Sequence, residues 1–281
     1  MLRCGLLGRK LSHSYSPQIH KELAGYEYKL YEKEPEELEA FLRSKTFDGL
    51  NVTIPYKKAV MPILDDISPE AAAIGSVNTI VNRDGKLTGY NTDAFGFAGM
   101  VRCSGIEVKG KRAVVLGSGG ASATVCAALH DLGAADVTVI SRSGPDNYGN
   151  LDRRADAQII VNTTPVGMFP ANGVSPVGLA RFPALTGVLD IVYNPARTAL
   201  VLQAEKRGIP CMSGLYMLAA QAKRTAELFE NRCIDERETE RVWRALSARM
   251  QNAVLIGMPG CGKSAAAARL AERLGRVMLD S

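Results

Sequence analysis

The chain has 281 residues, of which 46% are hydrophobic and 22% charged, and its net charge is +5. That length suits about two domains of the usual 100–200 residues, and the composition excludes a disordered, collagen-like or disulfide-stapled protein. Apolar runs stay short of the roughly 20 residues that span a bilayer, and the N-terminus lacks a signal-peptide pattern. The small charge and 6% aromatic content predict no nucleic-acid partner and no membrane association.

Six cysteines are scattered along the chain without a CxxC pair. This usage is typical of reduced thiols, so the sequence predicts a cytoplasmic protein without a disulfide framework. The three histidines, His13, His20 and His130, form no ligand cluster. We therefore expect no metal site.

The first 94 residues alternate short apolar runs with amphipathic stretches. Ser16 is expected to cap a helix that has Pro17 at its first position, and a second helix is predicted over Glu36–Ser44. Strands are predicted at Leu2–Gly8, Tyr28–Tyr31 and 47–55. This βαβ rhythm predicts a parallel sheet covered by helices.

The pattern from residue 111 onwards is that of a doubly wound nucleotide-binding unit. A buried strand at 112–116 leads through a glycine turn into an alanine-rich helix and a second strand at 136–140. Further strands are predicted at Gln158–Val161, Val188–Val192 and Ile209–Met212, and residues 215–250 are predicted to be helical and to return to the first domain.

The glycine turn between strand and helix is suited to a pyrophosphate, because glycines let phosphate approach the backbone and the helix N-terminus. Its candidate cofactor-binding residues are Gly117, Ser118, Gly119, Gly120 and Ala121. The alternative is a glycine turn with a purely structural role.

The end of the following strand distinguishes NAD from NADP. It has the sequence Ser141-Arg142-Ser143, a cation between two hydroxyls with no acid. Because an arginine there accommodates a 2′-phosphate, the sequence favours NADP; the alternative for Arg142 is a solvated surface side chain.

Polar side chains gather where the strand ends of the first domain should form a crevice. Hydroxyls, amides, one amine and one carboxylate suit a polyhydroxylated, anionic small molecule. They are Ser14, Ser16, Asn51, Thr53, Lys57, Asn78, Asn91 and Asp93.

Several segments resemble the shikimate dehydrogenase family, which reduces 3-dehydroshikimate to shikimate with NADPH. The resemblance runs from about residue 5 to 245 and rests on HSYSP (13–17), NVTIPYK (51–57), GSVNT (75–79), GYNTD (89–93), GSGGAS (117–122), NTTPVGM (162–168), DIVY (190–193) and GLYMLAAQ (214–221). The family usually has Asn-Arg-Thr where this chain has Ser141-Arg142-Ser143.

The resemblance implies that Lys57 is the acid/base residue and Asp93 its partner. Chemistry agrees, because hydride leaves a carbinol carbon only if the hydroxyl proton departs too. Implied substrate contacts are Ser14, Ser16, Thr53, Asn78, Asp93, Tyr193 and Gln221. Implied cofactor contacts are the glycine turn, Ser141, Arg142, Ser143, Ile191 and Gly214. Quinate as substrate, NAD as cofactor and a ligand-sensing protein on the same scaffold are the alternatives.

The last 31 residues, 251–281, contain a P-loop pattern, GMPGCGKS at 257–264. A strand at Asn252–Ile256, a helix and the beginning of a strand at 277–281 are expected around it, and Gly262, Lys263 and Ser264 would hold nucleotide phosphate and magnesium. The string, with Asp280 after it, resembles the start of shikimate kinase. A kinase needs of order 100 residues or more, so we expect an inactive fragment, with ATP and Mg²⁺ bound only in a longer parent protein.

The predicted fold class is therefore α/β. A βαβ substrate domain (1–94, completed by helices of 214–247) precedes a Rossmann-type NADP-binding domain (95–213) and the incomplete P-loop fragment (251–281). The expected partners are the substrate and the cofactor, and the chain is expected to be a monomer or a homodimer.

Overall fold

Two β-sheets organise Met1–Ser247, and Ala248–Ser281 forms a separate unit. The computed structural model describes residues 1–11, 14–251 and 253–279. The predicted roles of His13, Asn252 and Asp280 lie outside the described residues.

The first sheet has six strands in the order β2–β1–β3–β5–β6–β4. These are β1 (Arg3–Gly8), β2 (Glu27–Glu32), β3 (Gly49–Val52), β4 (Asp66–Ile67), β5 (Thr79–Arg83) and β6 (Lys86–Tyr90). β1 is parallel to β2 and β3, whereas β5 is antiparallel to β3 and β6. The three predicted strands, β1 to β3, are parallel as expected, but β5 runs against its neighbours, so the sheet as a whole is mixed.

A two-residue hairpin connects β5 to β6. Arg83 pairs with Lys86, so only Asp84 and Gly85 connect the strands, and their φ angles are 52° and 79°. Two successive positive φ values form the hairpin turn whose twist matches that of the strands, and an Asp-Gly pair is its usual sequence. The chain thus turns back without a crossover helix.

The helices beside this sheet are α1 (Ser16–Leu23), α2 (Leu38–Ser44) and α3 (Pro69–Ile74). Ser16 is the first residue of α1 and not its cap, contrary to prediction; the N-cap residue, Tyr15, makes no side-chain cap. Instead, the Ser14 hydroxyl accepts the Ser16 N–H at 3.2 Å. All four residues of β3 are buried, and the core between the sheet and α2 includes Leu7, Leu42, Phe47 and Leu50.

The second sheet is parallel throughout, as predicted, with the order β11–β10–β9–β7–β8. Its strands are β7 (Arg112–Leu116), β8 (Asp136–Ile140), β9 (Ile159–Asn162), β10 (Gly187–Asp190) and β11 (Cys211–Ser213), and its helices are α5 (Gly120–Asp131) and α6 (Ala199–Lys206). The order reverses at β7, which lies between β8 and β9. A crevice at the carboxyl ends of the strands is expected at such a point.

Helices link the two sheets. α4 (Thr92–Ser104) leads from β6 towards β7, and α7 (Leu215–Glu230) follows β11 and packs against α4, α1 and β5. The predicted helical region 215–250 is divided in two, because Asn231 ends α7 at a φ of 51° before α8 (Glu236–Met250) begins. Asparagine tolerates this left-handed conformation.

Within the described residues 253–279 the chain forms one helix, α9 (Lys263–Leu274), where the sequence predicted it. The described residues 253–256 and 275–279 form no strand, contrary to prediction. Val254, Ile256 and Leu279 are 78%, 93% and 93% exposed. A strand needs a hydrogen-bonded neighbour and a covering layer, and the described residues of this unit provide neither.

Buried polar side chains accompany the apolar core of the first sheet. The His20 ring is 1% exposed and stacks on Tyr28 with a centroid distance of 4.1 Å. Its Nδ1 lies 2.6 Å from the Tyr26 hydroxyl, while its Nε2 has no partner. Burial lowers the pKa of His20 from 6.5 to about 3, and the neighbouring Asn51 side chain opposes this shift. No described helix has both the length and the apolar character needed to cross a bilayer.

The buried imidazole makes stability depend on pH. Below about pH 6.5 the unfolded chain protonates His20 and the folded chain does not, so the free energy of unfolding should fall as the pH drops towards about 3. The slope from this one group reaches about 1.4 kcal/mol per pH unit. Urea unfolding at several pH values would measure it. His20→Phe should flatten the slope between about pH 6.5 and 5, above the range where most carboxylates titrate, and His130→Gln is the exposed control. Parallel curves for wild type and His20→Phe would contradict the assignment.

Candidate active site

A lysine and a carboxylate meet at the carboxyl edge of the first sheet. Lys57 lies in the turns after β3, and its Nζ is 2.5 Å from Oδ2 of Asp93 in the first turn of α4. Their side chains are 26% and 17% exposed, so the pair is sheltered but open to a small molecule. The sequence prediction that these two distant residues face each other is met by the geometry.

Asn91 fixes the start of α4, and with it Asp93. Its Oδ1 accepts the N–H groups of Asp93 and Ala94 at 3.1 and 3.2 Å, while its Nδ2 donates to the carbonyl of Ser76 at 2.9 Å. The helix N-terminus also favours a negative charge on Asp93. Nδ2 lies 3.4 Å from the hydroxyl of Thr124 on α5, so the same amide reaches the nucleotide-binding half.

Three predicted substrate-contacting hydroxyls lie in loops at this edge. Thr53 follows β3, and its backbone N–H donates to Leu7 on the adjacent β1 at 2.9 Å. Ser14 and Ser16 lie in and after the loop that follows β1, and both are half-buried, as is Thr53. The loop after β10 approaches them, because the rings of Tyr15 and Tyr193 meet edge to face at 5.9 Å. Burial raises the pKa of Tyr193, which keeps its hydroxyl protonated.

Asn78 and Gln221 lie deeper, at 3% and 8% exposure. Oδ1 of Asn78 accepts the Thr92 N–H at 2.7 Å, and its Nδ2 donates to the Thr92 hydroxyl at 3.0 Å. Gln221 on α7 donates to the carbonyl of Leu218 at 2.9 Å, and its Oε1 lies 3.5 Å from the Thr92 hydroxyl. Both amides therefore belong to a buried polar network, and their contact with a substrate stays a prediction.

The glycine turn lies at the end of β7, at the reversal of strand order. Gly117 has a φ of 104°, and a Cβ there would come within 2.8 Å of Thr164, so glycine is required. At Gly119 and Gly120 a Cβ would meet nothing within 4 Å, and no side chain caps α5. This open cradle beside a helix N-terminus fits a phosphate group. Ser118 next to it is exposed and Ala121 is half-buried.

The segment after β8 carries the cofactor-selecting residues predicted from the sequence. Ser141 is half-buried, and its hydroxyl accepts the Gly144 N–H at 2.7 Å, so this side chain shapes the loop. Arg142 and Ser143 are exposed, and Arg142 has no ion pair among the described residues, whereas Arg154 nearby is held by Asp146 at 3.0 Å. Arg142 is thus the cation left available to a ligand in this loop.

Two further predicted cofactor positions, Ile191 and Gly214, lie against each other. A Cβ on Gly214 would be 2.1 Å from the Ile191 carbonyl oxygen, so the glycine serves the close approach of α7 to the end of β10. A side chain there would force the two segments apart. This packing role accounts for Gly214 without a ligand, and its contact with a cofactor is still a prediction.

Two buried side chains organise the loops after β9 and β10. The sequence patterns assigned them no role. Asn162 and Asp190 end the paired strands β9 and β10, and Asn162 Nδ2 donates to Asp190 at 2.9 Å. Asp190 also accepts the Thr198 hydroxyl and the Val192 N–H at 2.7 and 3.0 Å. Burial raises the pKa of Asp190, although these three hydrogen bonds oppose it. The sequence signal for both residues is a polar side chain at the end of a buried strand.

The P-loop-like turn of the C-terminal unit is partly formed. Gly262 precedes α9 with a φ of 81°, and Lys263 Nζ donates to the carbonyls of Gly257 and Met258 at 2.8 Å each. Lys263 thus closes the turn on itself. Ser264 is exposed in the first turn of α9.

A cavity of about 570 Å³ lies beside α4, and Asn91 and Thr92 at the start of that helix contribute to its lining. Its lining includes Glu70, Phe95, Arg102 and Asp131. Lys57, Asp93 and the glycine turn do not contribute to it. Among the described residues no group of three or more His, Cys, Asp or Glu could hold a metal ion, and the six cysteines are unpaired.

A two-sheet α/β chain with a phosphate cradle in one half and a sheltered lysine–carboxylate pair in the other defines a class, the nicotinamide-dependent oxidoreductases. Comparison with known proteins narrows it. The profile described as "Shikimate dehydrogenase substrate binding domain" matches residues 6–80. A shikimate dehydrogenase (NADP(+)) of Clostridium beijerinckii is 37% identical over 255 residues, which cover 84% of this chain and 94% of that protein.

Solved structures agree with this match. A chorismate mutase/shikimate 5-dehydrogenase fusion protein from Clostridium acetobutylicum has a TM-score of 0.84 at 35% identity, covering 89% of this chain and 98% of that one. Shikimate 5-dehydrogenase from Thermus thermophilus, solved with NADP(H) and shikimate, has a TM-score of 0.79 at 33% identity, covering 87% and 99%. The chain belongs to the shikimate dehydrogenase family, the members of which are oxidoreductases.

Proposed function

We propose that this chain interconverts 3-dehydroshikimate and shikimate with NADP(H), with Lys57 as acid/base residue and Asp93 as its partner. The observation that carries the residue assignment is the 2.5 Å contact between Lys57 Nζ and Asp93 Oδ2. Asn91 connects this pair to Thr124, whose hydroxyl lies 3.5 Å from the carbonyl of Gly120 in the glycine turn. Contacts through Asn91 and Thr124 thereby link the proposed proton-transfer pair to the glycine turn.

Lys57 moves the proton. In shikimate oxidation its neutral amine accepts the proton of the reacting hydroxyl, and in ketone reduction its ammonium donates that proton to the forming alkoxide. Asp93 holds the amine in place and offers its second carboxylate oxygen to a neighbouring substrate hydroxyl. The ammonium group of Lys57 suits this task, because its three N–H donors can contact Asp93 and the substrate together.

The substrate would lie against the half-buried hydroxyls of the first half. Ser14 and Ser16 present donors and acceptors to a carboxylate, and Thr53 lies beside the reacting ring. Tyr193 would cover the substrate from the other half, and Asn78 and Gln221 would reach it from the buried network. A polyhydroxylated acid can pair with each of these groups.

The residues present fit a dinucleotide phosphate. Gly117 to Ala121 would hold the pyrophosphate, Arg142, Ser141 and Ser143 the 2′-phosphate, and Ile191 and Gly214 would line the nicotinamide end. When bound, the cofactor supplies or accepts the hydride. Closure of the crevice around both ligands would exclude water and align the reacting atoms.

Removal of the Lys57 amine should abolish most turnover. We expect purified chain to reduce NADP⁺ with shikimate, faster than with quinate, and Lys57→Met to lower kcat by about 10²–10⁴, the usual contribution of general acid–base catalysis. Nicotinamide absorbance reports the rate. Lys58→Met, at the exposed neighbouring position, is the matched control and should keep wild-type turnover. Near-wild-type kcat in Lys57→Met would remove Lys57 from proton transfer, and preferential turnover of quinate would favour the quinate alternative.

Arg142 should set the preference for NADP over NAD. Arg142→Ala removes a charge-assisted contact of about 1.5–3 kcal/mol, so KM for NADP⁺ should rise about 10- to 100-fold while KM for NAD⁺ changes little. Arg153→Ala, an exposed arginine one loop away, is the control. An equal effect of Arg142→Ala on both cofactors would show that this side chain does not read the 2′-phosphate.

We also propose that 251–281 is the first βα unit of a P-loop domain that resembles shikimate kinase, inactive within this chain. The exposed apolar residues 254, 256 and 279 support this interpretation, because a complete domain would cover them. The chain should therefore form no phosphorylated shikimate from ATP and Mg²⁺, and Lys263→Ala should leave dehydrogenase kinetics unchanged. ATP consumption coupled to shikimate would contradict the proposal.

The same assignment divides the chain into a substrate domain at 1–94 completed by helices of 214–247, and a cofactor domain at 95–213. Six unpaired cysteines suit the reducing cytoplasm. A monomer or homodimer can carry this site, because every proposed catalytic residue comes from one chain.

A further inference from the structure

A single buried hydroxyl lies at the centre of the polar network beneath the site. The Thr225 hydroxyl on α7 is fully buried and lies 3.1 Å from each of three groups, Asn51 Nδ2, Thr79 Oγ1 and Thr92 Oγ1. Thr225 follows Gln221 by one helical turn, so both side chains point to the same face of α7. None of the motifs assigned to the site includes Thr225.

Counting donors and acceptors limits where the protons of this network can lie. Oδ1 of Asn78 has two lone pairs: the Thr92 N–H at 2.7 Å occupies one, and the Thr79 hydroxyl at 3.1 Å and the Thr92 hydroxyl at 3.2 Å both reach the other. Asn78 Nδ2 donates to the Thr92 hydroxyl oxygen at 3.0 Å. When Thr79 donates to Asn78, Asn78 does not also receive the proton of the Thr92 hydroxyl.

In that arrangement the Thr92 proton can go to the Thr79 hydroxyl oxygen at 3.2 Å or to Gln221. Oε1 of Gln221 lies 3.5 Å from the Thr92 hydroxyl, while Gln221 Nε2 already donates to the Leu218 carbonyl. Asn51, whose Oδ1 is occupied by the Tyr28 hydroxyl at 2.7 Å, donates from Nδ2 to Thr225. Thr225 then passes its own proton to Thr92, which completes a chain of donors from Tyr28 to Gln221.

We propose that Thr225 is a positioning residue for the substrate-binding carboxamide of Gln221, a statement that rests on the function proposed above. By donating to Thr92, Thr225 leaves the Thr92 proton for Gln221 Oε1. The carboxamide is then held in one orientation, with a second N–H of Nε2 left for a substrate hydroxyl. Thr225 acts without touching the substrate, through a hydroxyl that a buried valine would lack.

The test is Thr225→Val, which preserves shape and removes the hydroxyl, against Thr225→Ser, which restores it. Loss of one buried hydrogen bond should raise KM for shikimate about 5- to 10-fold, with kcat and KM for NADP⁺ within about twofold of wild type. Thr225→Ser should return KM to near the wild-type value. In a Gln221→Ala background, Thr225→Val should add nothing further, because its route to the substrate is gone.

The control is Thr239→Val, which also deletes a buried threonine hydroxyl, but one with no hydrogen-bond partner. It should leave KM for shikimate unchanged. Unchanged KM in Thr225→Val, or an undiminished effect in the Gln221→Ala background, would overturn the proposal. If Thr225→Val does not fold, Thr225→Ala is measured by the same criteria. A wild-type chain inactive on shikimate would instead overturn the proposed function, and this inference with it.

Discussion

The short contact between Lys57 and Asp93 is the interaction on which the functional interpretation of this molecule depends. A half-sheltered ion pair of this kind contributes little to stability, because solvent screens it and ordering the lysine costs entropy. Its proposed value is chemical: it would hold an amine at a defined point beside the strand ends, where a hydroxyl proton must be taken or returned. The two residues lie 36 positions apart in sequence.

The rigidity of this point comes from buried polar side chains. Asn91 caps α4, and Asn78 holds the Thr92 backbone. Thr225 joins α7 to β3, β5 and α4 through Asn51, Thr79 and Thr92. Each such group costs desolvation unless it is fully hydrogen-bonded, so a network that satisfies nearly all its donors and acceptors specifies one arrangement of helices and strands. The exception, the unpartnered Nε2 of His20, lies at the far end of this cluster.

Sequence reasoning succeeded where the pattern is local. The strand, glycine turn and helix at 112–131, and the parallel sheet around them, follow from apolar runs and glycines. These patterns lie within short segments, so they can be recognised without knowledge of the tertiary structure. It failed at Ser16, where the cap and the first helical residue differ by one position, and at β5–β6. There β5 runs antiparallel to β3, and the two-residue Asp84–Gly85 turn leads back into β6, so the sheet is mixed. The strand expected at 252–256 is not formed over its described residues, because an apolar run becomes a strand only beside a partner.

The sequence by itself determined the α/β class, the glycine turn after β7, the basic residue after β8 and the choice of the lysine and the carboxylate as candidates. These are properties of short segments, and one-dimensional patterns encode them. The tertiary structure decided which of those groups meet. It brings Lys57 to Asp93 and the backbone of Gly214 to Ile191. It also lets Thr225 join Thr92 to Asn51, a residue 174 positions earlier in the chain. Such meetings depend on strand order and helix packing, which arise from the whole core and leave no signal at the residues themselves.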